Sequence, residues 1–164
     1  MASLYNVVMA NATVIASGEL VTVRAATSFA SRASVLRIYR LSCSQTSSTT
    51  SAMLAVRWGL KASAFGTFTA ATPVPLALGV VASALTGSTS NAASSAGVNA
   101  SANGAGTLTV LDHQAFNNLN GFLWVPTPEE RPIVGPDLTF VFQLQGTPSA
   151  LTGWEATVTF EEVT

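Results

Sequence analysis

Charged side chains are scarce in this sequence, and their scarcity restricts the possible partners. Asp, Glu, Lys and Arg make up 9% of the 164 residues, against about 25% in an ordinary soluble domain. The seven basic residues are scattered, so no nucleic-acid partner is expected, because that requires clustered Lys and Arg. Arg37, Arg40 and Arg57 fall in two predicted strands and could form a small patch, which we interpret as a solvated sheet face. A surface this poor in charge favours a chain covered by partners.

Cysteine and long hydrophobic runs are also nearly absent. Cys43 is the only cysteine, which excludes an intrachain disulfide and fits assembly in a reducing compartment. We predict that it is a small buried side chain. The longest apolar stretch, residues 74–85, is interrupted by Pro75 and Gly79 and is shorter than the ~20 residues that a membrane-spanning helix needs. The N-terminus lacks the basic start of a secretory signal, so we expect neither export nor a membrane partner.

Hydrophobic and polar side chains alternate in the last third of the chain. Two runs have an apolar residue at every second position, namely Leu138, Phe140, Phe142, Leu144 and then Trp154, Ala156, Val158, Phe160. A period of two over this length predicts a strand with one buried face. Gly146 and Pro148 supply turn geometry between the runs. We therefore predict that the two strands form an antiparallel hairpin or are near neighbours.

The whole chain contains about eight such runs, which start near Leu4, Glu19, Ser34, Ala52, Thr107, Gly121, Leu138 and Trp154. The run from Ala52 is expected to be a second hairpin arm, following the run from Ser34. No segment has the periodicity of an amphipathic helix. Short strands joined by Gly, Pro and Ser turns predict an all-β fold. We expect a single domain over residues 1–164, a two-sheet β-sandwich of jelly-roll or related Greek-key topology.

A long uncharged segment interrupts this pattern. Residues 62–111 are fifty consecutive positions without a charge, and residues 81–106 are almost entirely Ala, Ser, Gly, Asn and Thr. A disordered linker is one interpretation of this composition. Disordered segments usually carry charge for solubility, however, so we favour an ordered loop or arm whose backbone hydrogen bonds are satisfied by a neighbouring subunit. Its function would then be contact.

Few residues suggest catalysis or metal binding. His113 follows Asp112 directly, and neighbours on a strand point to opposite faces, so they are poorly placed as a base and its orienting carboxylate. Glu129 and Glu130 are adjacent in a proline-bracketed turn, which does not set the separation that paired catalytic carboxylates require. The spacing of a calcium loop is missing among Glu129, Asp137, Glu161 and Glu162. We predict no catalytic residue, no metal site, no cofactor and no enzymatic activity.

The tryptophans leave an alternative function open. Trp58, Trp124 and Trp154 occupy strand positions of regular period, where large aromatic side chains are typical of a core or an interface. If one of them were exposed in a groove, it could stack on a sugar ring. A carbohydrate-binding or receptor-binding module of a viral tail or fibre is therefore the second hypothesis.

The C-terminal part resembles a known group of proteins. The run from Trp124 to Arg131 (WVPTPEER), a hydrophobic strand, and the closing run from Val158 to Val163 (VTFEEV) are similar to the C-terminal pattern of small structural proteins of tailed bacteriophages. The resemblance covers about residues 122–163, with weaker similarity around residues 52–58. Its motifs are structural, so it transfers no catalytic residue.

This resemblance implies a structural virion protein. The expected role is a cement or decoration subunit on the capsid surface, assembled in the host cytoplasm, that binds the major capsid protein between capsomers as a homotrimer. The sparse charge agrees with contact through residues 62–106 and through the N-terminal segment from Met1. We expect the sandwich to fold without residues 81–106, and the shortened chain to lose particle binding.

Overall fold

Short strands form almost all of the regular structure. The computed structural model describes residues 3–27, 33–62, 66–89, 93–104 and 106–163. In these ranges a 3-10 helix (Pro128–Glu130) accompanies thirteen strands: β1 (Leu4–Ala12), β2 (Glu19–Arg24), β3 (Val35–Gln45), β4 (Met53–Lys61), β5 (Thr67–Ala70), β6 (Val74–Pro75), β7 (Thr86–Gly87), β8 (Ser95–Ala102), β9 (Thr109–Asn117), β10 (Phe122–Trp124), β11 (Ile133–Val134), β12 (Thr139–Gln145) and β13 (Trp154–Val163). None of the described residues belongs to a helix long and apolar enough to cross a membrane.

The strands form two sheets that pack face to face. The first sheet has the order β10-β3-β13-β1-β6, with β11 also paired to β3. The second has the order β5-β8-β2-β12-β4-β9, with β7 paired to β8. Eight strands, β1 to β4 with β9, β10, β12 and β13, lie where the alternation predicts them. The chain changes sheet at every connection between these eight except β4 to β9. This is a jelly roll, and the predicted all-β sandwich is confirmed.

Strands β12 and β13 do not form a hairpin, so the hairpin alternative of that prediction is wrong. Strand β12 pairs with β2 and β4 in the second sheet, whereas β13 pairs with β1 and β3 in the first. The predicted hairpin of β3 and β4 is wrong for the same reason, since these strands lie in different sheets. Alternation identifies the buried face of a strand but not its hydrogen-bonded neighbour. Residues 146–153 instead carry the chain between sheets, and Gly146 and Gly153 adopt φ values of 77° and 73° there.

The core fills the space between the two inner faces. Its largest buried side chains include Trp58, Phe140, Phe142, Trp154 and Phe160. A row of rings leads from the centre to one edge of the sandwich. The ring centroids are 5.9 Å apart for Phe142 and Phe122, 5.8 Å for Phe122 and Trp58, and 4.8 Å for Trp58 and Trp124. The aromatic core therefore reaches the surface beside β9 and β10.

The uncharged segment folds back on its own sandwich. Strand β8 pairs with β2 and β5, and β6 pairs with β1, so the segment extends both sheets at the same edge. Leu85, Ala96 and Val98 belong to the main core. The described part of residues 81–106 is thus neither a linker nor a projecting arm, and β8 forms its ladder within the chain rather than with a neighbour. Residues 63–65, 90–92 and 105 lie outside the described ranges.

A chain without residues 81–106 is expected to be strongly destabilised, contrary to the prediction that the sandwich folds without them. The deletion would remove Leu85 and Val98 from the core and would uncover the edge of β2. Loss of large buried side chains costs about 2–5 kcal/mol each. We therefore replace the expectation that the sandwich folds without this segment, and test its contacts with point substitutions instead.

A buried ion pair lies on the second sheet, on the side away from the core. Glu19 is aligned with Gln143, and Lys61 is aligned with Thr139. These positions alternate with the inward-facing Phe140 and Phe142, so their side chains point away from the core. The Lys61 ammonium donates to Glu19 Oε1, and the two side chains are 5% and 0% exposed. Asn103, in the connection from β8 to β9, accepts a hydrogen bond of 3.0 Å from the Glu19 N–H. This connection therefore helps to cover the outer side of the sheet.

Gly59 is expected to be essential for the pairing of β4 with β9. A Cβ at this position would lie 2.1 Å from the Thr109 carbonyl oxygen, which belongs to the backbone and cannot move aside. We expect Gly59→Ala to lower the free energy of unfolding by about 1–3 kcal/mol. Urea denaturation measures this change. Gly135→Ala is the matched control, because a Cβ there meets nothing closer than Leu138 Cδ1 at 3.9 Å. Equal stability of the two variants would contradict the geometry.

The Glu19 and Lys61 side chains are expected to depend on each other. Glu19→Leu or Lys61→Met leaves one charge buried without its partner, which typically costs about 3–5 kcal/mol. The double variant Glu19→Leu with Lys61→Met removes both charges, so we expect it to be more stable than either single variant. Urea denaturation of the four proteins gives the coupling energy. If the double variant loses as much unfolding free energy as the two single variants together, Glu19 and Lys61 do not stabilise each other.

Candidate binding groove and apolar strip

The structure separates the three tryptophans. Trp58 and Trp154 are 1% and 0% exposed, and the Trp154 indole N–H donates to the Ala150 carbonyl at 3.0 Å. Neither ring can stack on an external ligand. Trp124, on β10, is half-buried and rests against Trp58 with the ring planes inclined at 46°. Trp124 is therefore the tryptophan whose ring reaches the surface.

A groove opens where the aromatic core reaches the edge of the sandwich. It lies between β9 of the second sheet and β10 with its following turn in the first, and it has a volume of about 600 Å³. Its lining residues are Trp58, Leu111, Asp112, Gln114, Trp124, Glu130 and Pro132. The two sheets therefore both contribute side chains to one open site.

The polar residues of the groove occupy inward-facing positions of β9. Asp112 is aligned with the buried Trp58, and Phe116, four residues further along β9, is buried in the core. Asp112 and Gln114 have the same orientation but are exposed, because the sheets leave the groove open there. A bulge between Val110 and Asp112 adds one residue to β9. Bulges re-aim side chains, which explains how the neighbours Leu111 and Asp112 both line the groove.

Hydrogen-bond acceptors dominate the polar part of the groove. Asp112 Oδ1 accepts from the His113 backbone N–H at 2.7 Å, and Asp112 Oδ2 accepts from the Gln114 amide at 3.4 Å. Glu130 Oε2 accepts from the Thr127 hydroxyl at 3.1 Å. Among the described lining residues none is Lys, Arg or His. The described lining of the groove therefore presents two carboxylates beside an aromatic face. Arg131, between Glu130 and Pro132 in the chain, lies over the Tyr39 ring, with Cζ 3.9 Å from the ring centroid.

The predicted chemical candidates are distributed differently. His113 is aligned with Arg57 and does not line the groove, so the expectation that it points away from Asp112 is confirmed. Glu129 does not line the groove, whereas its neighbour Glu130 does. The adjacent glutamates therefore do not meet in one cleft. The sequence does not predict that Asp112 and Glu130 line one groove, because these residues lie far apart along the chain.

The other acidic residues considered for calcium are engaged elsewhere. Asp137 accepts from Arg24, and Glu161 accepts from Arg37 at 3.2 Å and from the Tyr39 hydroxyl at 2.7 Å. Glu162 accepts from the Ala84 backbone N–H at 2.8 Å. Across the part of the chain that the structure describes, no three His, Cys, Asp or Glu side chains are grouped as metal ligands would be.

The small basic patch does not form. Arg37 and Arg40 lie on β3 in the first sheet, whereas Arg57 lies on β4 in the second. Arg57 donates to the Gln143 side chain at 2.9 Å, and Arg37 pairs with Glu161. The three arginines therefore do not form the patch that the sequence left possible, because their strands belong to different sheets.

The uncharged segment and β1 together form an apolar strip on the opposite edge of the sandwich. We define the apolar strip as the exposed side chains of Val8, Val74, Leu76, Leu78 and Val81, which are 50% to 104% exposed. Strand β6 aligns Val74 with Asn6 of β1, and the Leu76 N–H donates to the Leu4 carbonyl at 2.9 Å. The Tyr5 hydroxyl donates to the Val81 carbonyl at 3.0 Å. Bonds to β1 therefore hold the strip in place.

Two shallow grooves run along the apolar strip, with volumes of about 440 and 360 Å³. Val8 and Val74 line the first, and Leu76 and Leu78 line the second. The described residues lining both grooves include no charged side chain. Part of the expected contact region, Met1 and Ala2, lies outside the described residues. The strip is thus the described part of that region with the largest apolar exposure.

Cys43 is buried in the core, as predicted. Burial raises the pKa of its thiol above the ordinary value of 9.0. The folded protein therefore keeps this proton at pH values where the unfolded chain releases it, so the stabilising contribution is full below about pH 9 and decreases above it.

A pH series on the wild type and Cys43→Ala tests this burial. The difference in unfolding free energy between the two proteins should be constant below about pH 8, and above about pH 9 the wild type should lose up to about 1.4 kcal/mol per pH unit relative to the variant. Urea denaturation at each pH gives both values. A difference that stays constant through this range would mean that the thiol is accessible when the chain is folded.

Comparison with known proteins adds no relative to this description. No protein family, no curated protein and no solved structure matches the chain. The resemblance to tailed-phage structural proteins therefore stays a prediction, and the groove and the apolar strip are the features that indicate a function.

Proposed function

We propose that this chain is a structural, non-enzymatic subunit of a virion, a cement or decoration protein that binds the capsid surface. The observation that carries the proposal is the apolar strip. An ordered segment places four large apolar side chains in solvent, next to the exposed Val8 of β1, while β1 holds the backbone of the segment. Exposed apolar surface of this kind typically marks a site of contact with another macromolecule.

The composition supports the same function. The chain has few charges, and the described linings of the two grooves beside the strip contain none. An uncharged face gains from being covered, because apolar burial contributes about 25 cal/mol per Å² and few polar groups must be desolvated. A macromolecular partner with an apolar contact surface fits this face better than a charged ligand does.

The fold gives support by analogy. Jelly rolls occur in viral capsid proteins and in lectins, and fold alone does not decide between these functions. In the cement hypothesis the partners are the major capsid protein and two further copies of this chain, and the location is the capsid surface. The mechanism is additive: a standard contact of about 800 Å² per partner, repeated over a symmetric shell, would hold adjacent capsomers together.

A carbohydrate-binding or receptor-binding module remains the second candidate, and one observation favours it. Trp124 is half-buried beside Asp112, Gln114 and Glu130 in one groove. The groove lies at the β9 and β10 edge and the apolar strip at the β1 and β6 edge. The two candidates therefore use different surfaces, and substitutions can separate them.

Leu78→Glu is expected to abolish docking on the capsid. Leu78 is fully exposed, so the substitution should leave the fold intact while placing a charge that must be desolvated on binding. We expect at least about tenfold weaker binding, measured by co-sedimentation with capsids of the virus that encodes the chain. Leu123→Glu is the matched control, because Leu123 is an exposed leucine of β10 at the other edge.

The same proteins are measured by light scattering after size exclusion. The wild type should have the mass of three chains. In a separate thermal denaturation, both variants should unfold at the wild-type temperature. Capsid binding by Leu78→Glu at wild-type strength would remove the apolar strip from the docking surface. Failure of the wild type to bind capsids at all would end the cement hypothesis.

A further inference from the structure

The groove at the β9 and β10 edge has a construction that the docking function does not require. Strand β9 is the last strand of the second sheet, and its inward-facing positions pass from the buried Phe116 to the exposed Gln114 and Asp112. A sandwich core would place apolar residues at these positions. Polar residues at core-facing positions without a structural need are a typical mark of a functional site.

We propose that this groove is a saccharide-binding site that takes neutral or amino sugars. In this assignment the Trp124 ring is the platform for a pyranose ring, and the carboxylates of Asp112 and Glu130, with the Gln114 amide, bind its hydroxyl or ammonium groups. The inference rests on the second candidate function given above, for which it names the class of ligand, and it does not depend on capsid docking.

The platform is preorganised. The Trp124 centroid lies 4.8 Å from that of Trp58, which is itself fixed in the core 5.8 Å from Phe122. A ligand that stacks on Trp124 therefore meets a ring that is already supported from behind, so little side-chain freedom is lost on binding. The combination of an aromatic face and a few polar groups is typical of small-ligand sites. A volume of about 600 Å³ lies within the usual range for them.

The charges of the groove select the class of sugar. Carboxylates accept hydrogen bonds and cannot donate them when ionised, so they suit hydroxyl and ammonium groups. Among the described lining residues no Lys, Arg or His offsets Asp112 and Glu130. A sialic acid, a uronic acid or a phosphorylated sugar would place its negative charge in the same groove as these carboxylates, and like charges repel. The groove should therefore reject acidic sugars.

Protection of an exposed sheet edge is the competing explanation. Inward-pointing charges discourage the pairing of edge strands between molecules. Asp112 Oδ1 also accepts a hydrogen bond from the His113 backbone N–H, which is then not free to pair with another strand. This explanation accounts for Asp112 alone. It does not account for the surface position of Trp124 or for Glu130, which reaches the groove from the connection between β10 and β11 of the other sheet.

The test begins with the wild-type protein on an array of immobilised glycans with neutral, amino, sialylated and uronic-acid termini. We expect binding to neutral or amino glycans and none to acidic ones. The best neutral oligosaccharide is then titrated by calorimetry against wild type, Trp124→Ala, Trp124→Phe, Asp112→Asn and Glu130→Gln. Trp124→Ala should bind at least about tenfold more weakly, and Trp124→Phe should retain part of the affinity because it keeps an aromatic face.

Leu123→Ala is the matched control, since Leu123 neighbours Trp124 in sequence and does not line the groove. If Trp124→Ala fails to fold, Trp124→Phe and Asp112→Asn carry the comparison. The proposal is overturned if no glycan binds, if acidic glycans bind best, or if the groove variants bind like the wild type. Binding of a lysine-rich peptide without binding of any neutral glycan would also overturn it, and would assign the groove to a basic protein partner.

Discussion

Aromatic packing between the two sheets is the interaction on which the rest of this structure depends. Phe140 and Phe142 on β12 and Trp154 and Phe160 on β13 fill the space between the sheets and are fully buried. Strands β12 and β13 lie in the interior of their sheets, each with a partner on both sides. The position of β12 therefore fixes its partners β2 and β4, and the position of β13 fixes its partners β1 and β3. The groove forms at the edge where this packing ends, because among the described strands β9 and β10 each have a partner on one side only.

The strands of the jelly roll could be predicted from the sequence, but their partners could not. Alternation such as that of Phe140 and Phe142 requires one dry face, and a sheet in either layer provides it. Backbone hydrogen bonds do not depend on which side chains the strands carry. The sequences of β12 and β13 are therefore equally compatible with a hairpin and with two strands in facing sheets. Strand β8 escaped prediction for a different reason. A Cβ at Gly97 would approach the Phe68 side chain to 2.9 Å, so this strand uses the small residues that are otherwise typical of loops.

The groove was hidden from sequence analysis by the same polar residues that define it. The run Thr107 to Asp112 predicts a strand that ends at Asp112, because Asp, His and Gln follow one another there. The strand instead continues to Asn117. Phe116 indicates this continuation in the sequence, because it places an apolar residue at the inward-facing position that follows Asp112 and Gln114. Which side chain joins Asp112 from the other sheet is a tertiary property. No spacing along the chain relates Asp112 to Glu130.

The positions of the two surfaces bear on how the two functions relate. Strand β6 and strand β10 terminate the first sheet at opposite ends, so the apolar strip and the groove lie on opposite edges of one rigid sandwich. A subunit held on a shell by the strip would leave the groove uncovered by that contact. If both proposals hold, sugar binding is therefore compatible with capsid attachment, and one small fold would connect the particle to a glycan surface. The same separation means that neither site needs the other, and each can fail alone.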